Sequence, residues 1–269
     1  MMKARLARPQ DADRVIFRDL GDYSARNSSK GALLEEATRV FQALAAGATL
    51  DVVRDGVLRG ALLTQRSTQN RRRIWTTIHH RYLQGEPWLT EVLTNLSNQD
   101  PYGADFVSLL YLLYSLRDRL TFEFVTTVLW QSGDRARTPV SRNEVLNLLA
   151  QSVADQPHIA RWSEATRVKL AGSLLTALRD FGVLEGQQKK VLVQPTLPLS
   201  TAGTLVRVLV REGLRGRQII ADRAWRLFLL QETDVVQVLS KLAIAGVLRF
   251  EKAGSTVVLE TPSAWEINV

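Results

Sequence analysis

The run DPYGADFVSLLYLLYSL, Asp100 to Leu116, decides the class of this 269-residue chain. Its last eleven residues, Phe106 to Leu116, are apolar nearly all round. A helix of that kind is either a membrane span or the centre of a packed core. A span needs about 20 such residues, and here Asp105 and Arg117 close the run on both sides. The segment therefore reads as a buried core helix, with Asp100 as its N-cap and Pro101 at its first helical position. A core helix needs other helices to cover it, so the fold class expected is mainly α.

The flanking sequence supplies that cover. SSKGALLEEATRVFQALAAG, Ser28 to Gly47, places Leu33, Leu34, Ala37, Phe41 and Leu44 on one helical face and ends at a glycine. TLDVVRDGVLRGALL and the basic stretch after it read as two more helices, with Ser67 as the N-cap of the second. GEPWLTEVLTNL precedes the core run, and TFEFVTTVLWQ follows it with helical period despite its β-branched residues. Ser132 to Pro139, SGDRARTP, is polar and aperiodic and reads as a linker. Beyond it, Ser141 and Glu144 form a capping box, a second helix from about Ser163 stops at Gly182, and KKVLVQPTLP has strand character. The remainder reads as helix (AGTLVRVLVREG), basic turn (LRGRQ) and helix (ADRAWRLFLLQ), then TDVVQVLSKLAIAG and a hairpin around Ala253-Gly254-Ser255. That order is winged-helix-like, and the segment before it is a weaker version of the same layout. The expected organisation is a flexible arm over residues 1–22, a helical domain over 23–132, a linker at 133–140, and winged-helix-like modules at 141–199 and 200–269.

Composition narrows the function. With 45% hydrophobic and 23% charged residues the chain resembles ordinary globular proteins. The N-terminus lacks the apolar core of a secretory signal, and the expectation is a cytoplasmic protein that does not enter membranes. The absence of cysteine excludes disulfides, thiol chemistry and cysteine-held metals. Only three histidines occur; His79 and His80 are adjacent on a helix, about 100° apart, and cannot share a metal. No phosphate-binding glycine loop is present. The chain is therefore read as non-catalytic, without cofactor or metal. The formal charge of +8 favours an acidic partner such as nucleic acid. Arginine exceeds lysine 28 to 7, which suits phosphates and guanine edges, although an arginine-rich genome produces the same bias.

The charge is concentrated. From Gly56 to Gly85 there are six arginines and two histidines and no acid. At about 100° per residue, Ile74, Trp75, Ile78 and Tyr82 share one stripe that must face the core, and Arg71 falls in line with it. Gln69, Arg73, Thr76 and His80 lie opposite, with Asn70, Arg72 and Thr77 beside them. Solvated helices usually mix both signs. The choice is between a phosphate- or base-contacting face and arginines paired with distant acids such as Asp55 or Glu91. Arg66, Arg72, Arg73 and Arg81 are the candidate phosphate contacts, and Gln69 and Asn70 the candidate base readers. A second cluster comprises Arg207, Arg211, Arg215, Arg217, Arg223 and Arg226. In the last module Thr233 to Gly246 is the helix placed to enter a major groove, offering Gln237, Ser240 and Lys241, with Lys252 at the hairpin tip. That helix is mostly apolar, so phosphate positioning is expected ahead of base readout. The six tryptophans lie mainly in helical stripes and read as core.

YSARNSSKGALLEEATRVFQAL, VLRGALLTQRSTQNRRRIWTTIHHRYL and WSEATRVKLAGSLLTALRDFGVLEG resemble the BrxA family of bacterial BREX phage-defence systems. The resemblance runs from about Tyr23 to Glu260. It implies an almost wholly helical protein with helix-turn-helix elements beside positively charged grooves. It also implies binding to double-stranded DNA alongside a methyltransferase, an ATPase and a phosphatase-like protein. The family's likeness to the RNA-binding factor NusB keeps RNA as an alternative partner, and a structural adaptor for other BREX proteins is the other. The inner-membrane label given to some members finds no support in a sequence whose longest apolar run is so short. The family offers no residue set to carry over, so the candidate site rests on charge and helical faces.

Overall fold

The computed structural model describes residues 17–18, 21–29, 31–131, 139–254 and 256–265. A 3-10 turn, Ala25–Ser29, leads into α1 (Leu34–Ala45), α2 (Leu50–Arg59) and α3 (Thr68–Ile78), and α3 runs on through a π-helical turn, His79–Leu83. α4 (Pro87–Gln99) and α5 (Ala104–Leu116) follow, then α6 (Arg119–Glu123) and a second π-helical stretch, Phe124–Leu129. The β-branched run Val125 to Val128 opens that helix, and Thr127 Oγ1 bonds back to the Glu123 carbonyl. No helix of the described residues is long and apolar enough to cross a membrane.

α5 is buried from Phe106 to Leu116, with Val107 alone half-buried. Each of its faces meets a different part of the chain. Phe106 stacks edge-on to Phe41 of α1 at 5.8 Å. Tyr111 and Tyr114 pack on Phe181, at 5.6 and 5.2 Å. Tyr111 also meets Phe228 at 5.5 Å and donates its hydroxyl to the Leu227 carbonyl at 2.8 Å. The helix starts later than expected: Gly103 occupies the cap position, while Asp100 closes the preceding turn by accepting from the Tyr102 amide.

After α6 come the strand β1 (Pro139–Val140), the helices α7 (Arg142–Gln151) and α8 (Glu164–Asp180), and the strands β2 (Leu184–Glu185) and β3 (Lys190–Leu192). The sheet is antiparallel in the order β1-β3-β2, with Val140 opposite Lys190 and Leu184 opposite Leu192. Ser141 and Glu144 make the anticipated capping box, and Ser163 caps α8. Gly186 turns the β2–β3 hairpin at φ 98°, and a Cβ there would lie 2.1 Å from the Lys189 carbonyl oxygen, so no other residue fits.

The C-terminal unit holds α9 (Leu199–Arg211), α10 (Arg217–Ile220), α11 (Glu232–Ile244) and the hairpin β4 (Arg249–Ala253) and β5 (Thr256–Glu260). Its sheet has two strands, registered Arg249 to Glu260 and Ala253 to Thr256. The helix expected over ADRAWRLFLLQ is only a 3-10 turn, Arg223–Phe228. Leu229 stops it with a left-handed φ of 55°, and Trp225 is held inside by its indole N–H donating to Ile219 at 2.7 Å.

The expected arm and linker fall mainly outside the described residues. Their described ends are ordered. Phe17 is buried beside Trp88, and Arg18 pairs with Glu212 and, at 3.0 Å, with Asp222. Pro139 and Val140, expected as the end of the linker, form β1 instead. The Tyr23 amide donates to Gln156 at 3.0 Å, and its hydroxyl meets Glu123 and Ser152. A single apolar core runs through all of these segments. Because Glu212 and Asp222 keep only 7% and 10% of their side-chain surface, Arg18→Ala leaves two acids without their cation. Breaking a buried pair costs about 3 kcal/mol, and urea unfolding followed by circular dichroism is expected to show a loss of that order.

Candidate nucleic-acid interface

The turn between α2 and α3 is organised by one buried arginine. Gly60 ends α2 at φ 85°, and its missing side chain leaves room for the Arg71 guanidinium, which a Cβ would meet at 3.2 Å. Arg71 Nε donates to the Leu58 carbonyl at 2.9 Å, and Nη1 to Gln65 and Arg66 at 2.7 and 2.8 Å. Nη2 reaches the Thr68 hydroxyl at 3.0 Å. With 9% of its surface exposed, Arg71 is structural, as its place on the buried stripe implied. Ser67 then caps α3 by accepting from the Asn70 amide.

The outer face of α3 follows from that anchorage. Ile74, Ile78 and Tyr82 are buried and Trp75 half-buried, so Gln69, Arg72, Arg73 and Thr76 face solvent, with Arg66 exposed in the turn before them. Among the described residues no hydrogen bond or ion pair engages the guanidinium of Arg66, Arg72 or Arg73. Of the acids that offered an alternative, Asp55 pairs with Arg59 at 3.3 Å. Thr76 returns its hydroxyl to the Arg72 carbonyl at 3.0 Å. Asn70 and His80 are half-buried.

Arg81 is a correction. Only 4% exposed, it donates to the Gly31 and Ala32 carbonyls and to Asn27, and lies 4.5 Å from the centroid of the Tyr114 ring. Thr77, placed beside the outer stripe, is buried on the same side. Single-helix periodicity allows for one covering layer. The end of α3 is covered twice, by the core and by the segment around Asn27 and Tyr114, and that second layer removes Arg81 from solvent.

The second arginine cluster is dispersed. Arg207 stacks 3.9 Å over Trp88 and 6.0 Å from Trp265; burial, then the charge of Arg211, lowers its pKa, with Glu86 and Glu91 opposing. Arg211 is held by Glu86, whose side chain is 14% exposed. Both are half-buried rather than open to solvent as expected, because Trp88 and Trp265 flank Arg207, with Trp265 in the C-terminal 3-10 turn Ser263–Trp265, and Glu86 holds Arg211. Arg215 is exposed but bonds the Val210 and Leu214 carbonyls at 2.9 Å, closing the end of α9. Arg223 donates to Thr126 at 3.1 Å, and Arg226 lies 5.2 Å from Trp130. Arg217 is exposed.

In the last unit Gln237, Lys241 and Lys252 are exposed, whereas Ser240 is half-buried and bonded back to Val236. Glu232 and Asp234 stand at the start of α11, and Arg249 is neutralised by Glu251 and Glu260 at 2.9 and 3.3 Å. The charge of this face is balanced. Among the described residues no three His, Asp or Glu groups are arranged to hold a metal.

One cation escaped the sequence reading. Arg54 projects from α2 toward α3 and, among the described residues, has no ion pair. It lines a groove of about 500 Å³ together with Asp51, Leu58, Arg72, Trp75 and His79. Asp51 and Asp55 balance Arg54 in a residue count, which hid it. Its position next to Val53, the first core residue of α2, was the available signal.

Arg71 and Arg72 are chain neighbours with opposite roles, and their variants separate them. Arg71→Ala takes the charged donor from three partly buried carbonyls, leaves its own buried site empty and is expected to cost about 3 kcal/mol. Arg72→Ala is expected to stay within about 0.5 kcal/mol of the parent in the same urea titration.

The family model BrxA matches residues 21–208, more than half of the chain and all of α1 to α8. Among solved structures, the crystal structure of an uncharacterized protein from Magnetospirillum magneticum is 17% identical with a TM-score of 0.57. The match covers 78% of this chain and 100% of that one, and at such identity the likeness is one of fold alone. No curated protein matches the chain. The chain belongs to the BrxA family, and with it to the components of BREX phage-defence systems.

Proposed function

We propose that this protein is a non-catalytic double-stranded DNA-binding component of its BREX system. The observation that carries the reading is the outer face of α3, where Arg66, Arg72 and Arg73 stand in solvent and, among the described residues, form no ion pair. Guanidinium groups in that state attract phosphates and release condensed counterions when they bind them. Gln69 is the residue placed to reach a base edge, and phosphate contact dominates. Arg217, Lys241 and Lys252 form a secondary, weaker contact, since the neighbouring acids reduce the field of the C-terminal unit.

A second reading, that the C-terminal unit docks another BREX protein such as the methyltransferase, ATPase or phosphatase-like protein, draws on one observation. Ile244 on α11 is 88% exposed beside a charge-balanced hairpin, a surface better suited to a protein than to phosphates. The two readings use different faces and are compatible.

Gel-shift and anisotropy titrations with duplex DNA, structured RNA and heparin test the proposal. Log affinity for duplex DNA is expected to fall by about 0.9 per log unit of salt for each phosphate neutralised. Arg72→Glu with Arg73→Glu removes binding while the circular dichroism spectrum is retained, and Arg73→Gln alone lowers the salt slope by about 1. Intact duplex binding by the folded double variant refutes the assignment; a clear preference for RNA replaces the ligand.

A further inference from the structure

We infer that the groove between α2 and α3 receives one unstacked base of the DNA bound on α3. The inference rests on the DNA-binding reading above and adds a function to it. At about 500 Å³ the groove is of the size that takes small ligands. Its walls differ in chemistry. On α3, Trp75 is half-buried, so one part of the indole is fixed in the core while the rest lines the groove. The His79 ring lies 5.9 Å away, inclined at 48°, extending the aromatic wall. On α2, Leu58 and Leu50 supply an apolar surface, and Leu50 stays 42% exposed.

Charge separates a base from a phosphate as the occupant. Arg54 and Arg72, one from each helix, flank the groove without ion pairs and suit the phosphates on either side of a displaced nucleotide. Asp51, in the first turn of α2, lines the same groove. A carboxylate repels a phosphate but accepts a hydrogen bond from a ring N–H or an exocyclic amine. Aromatic wall, apolar wall, acceptor and flanking cations together match an amine-bearing base with its two phosphates. Bases stack on aromatic side chains irrespective of sequence, because every base has a π-face. The groove therefore selects duplexes in which a base is already unpaired, at a bulge, a frayed end or a strand opening.

The test uses the full-length protein, a fully paired duplex, and the same duplex carrying one bulged 2-aminopurine. The bulged duplex is expected to bind about tenfold more tightly, equivalent to about 1.4 kcal/mol, with the 2-aminopurine emission quenched in the complex. His79→Ala, which leaves the α3 phosphate face intact, brings the two dissociation constants together without changing that of the paired duplex. Trp75→Leu does the same, and should that variant fail to fold, His79→Ala decides alone. Equal affinity of the parent for both duplexes overturns the inference and leaves the DNA-binding reading standing. A preference that survives His79→Ala and every folded Trp75 variant also overturns it. Failure to bind either duplex overturns the reading and the inference together.

Discussion

A helix buried on every side must be covered on every side, and α5 imposes that requirement on the whole chain. No single neighbour can meet it. Phe41, Phe181 and Phe228, from segments that read as three separate units, all terminate on it or on its ring neighbours. The three segments thus share one core. The same requirement positions the candidate interface. α3 packs on α2 and reaches the core through Ile74 and Ile78, and with Arg71 anchored at the turn between the two helices its other arginines face outward.

Arginine supplies most of the positive charge, and its uses divide by what lies within reach of the guanidinium. Where carbonyls converge, as around Arg71 and Arg81, the planar fork satisfies several acceptors that would otherwise be buried without donors. Where a ring is available, as at Trp88, the cation stacks and keeps its charge at the expense of solvation. Where an acid is near, as Glu86 is to Arg211, an ion pair forms. What remains for a partner is the set that meets none of these conditions; Arg54, Arg66, Arg72 and Arg73 of that set lie together on α3 and the adjoining edge of α2, while Arg217 stands apart. The net charge of +8 is therefore a poor guide to the size of a binding surface.

Local signals were legible and distant ones were not. Ser67, Ser141 and Ser163 cap the helices their spacing announces, and Gly47, Gly182 and Gly246 take the positive φ that ends a helix. Each depends on residues within a few positions along the chain. The placement of Arg71 was legible for the same reason, since its partners lie within thirteen residues. Arg81 was misread because its carbonyl partners are 49 and 50 residues away. The strand at Pro139 and Val140 escaped notice because two residues carry no periodicity, and only pairing with Val191 and Lys190 defines them. The groove on α2 was invisible as a site because it belongs to two helices at once.

The clasp of Arg18 on Glu212 and Asp222 joins positions 194 and 204 residues apart. A chain made from its N-terminus brings Arg18 into existence long before either acid. While the ribosome is still adding α9 and α10, Arg18 has neither of its acids, although Trp88 is already present beside Phe17, and α5 lacks the cover that Phe228 later provides. The last third of the polypeptide thus completes the seat of Arg18. Folding closes only after synthesis is nearly finished, and a truncated product exposes apolar surface at both ends of the molecule rather than at the cut alone.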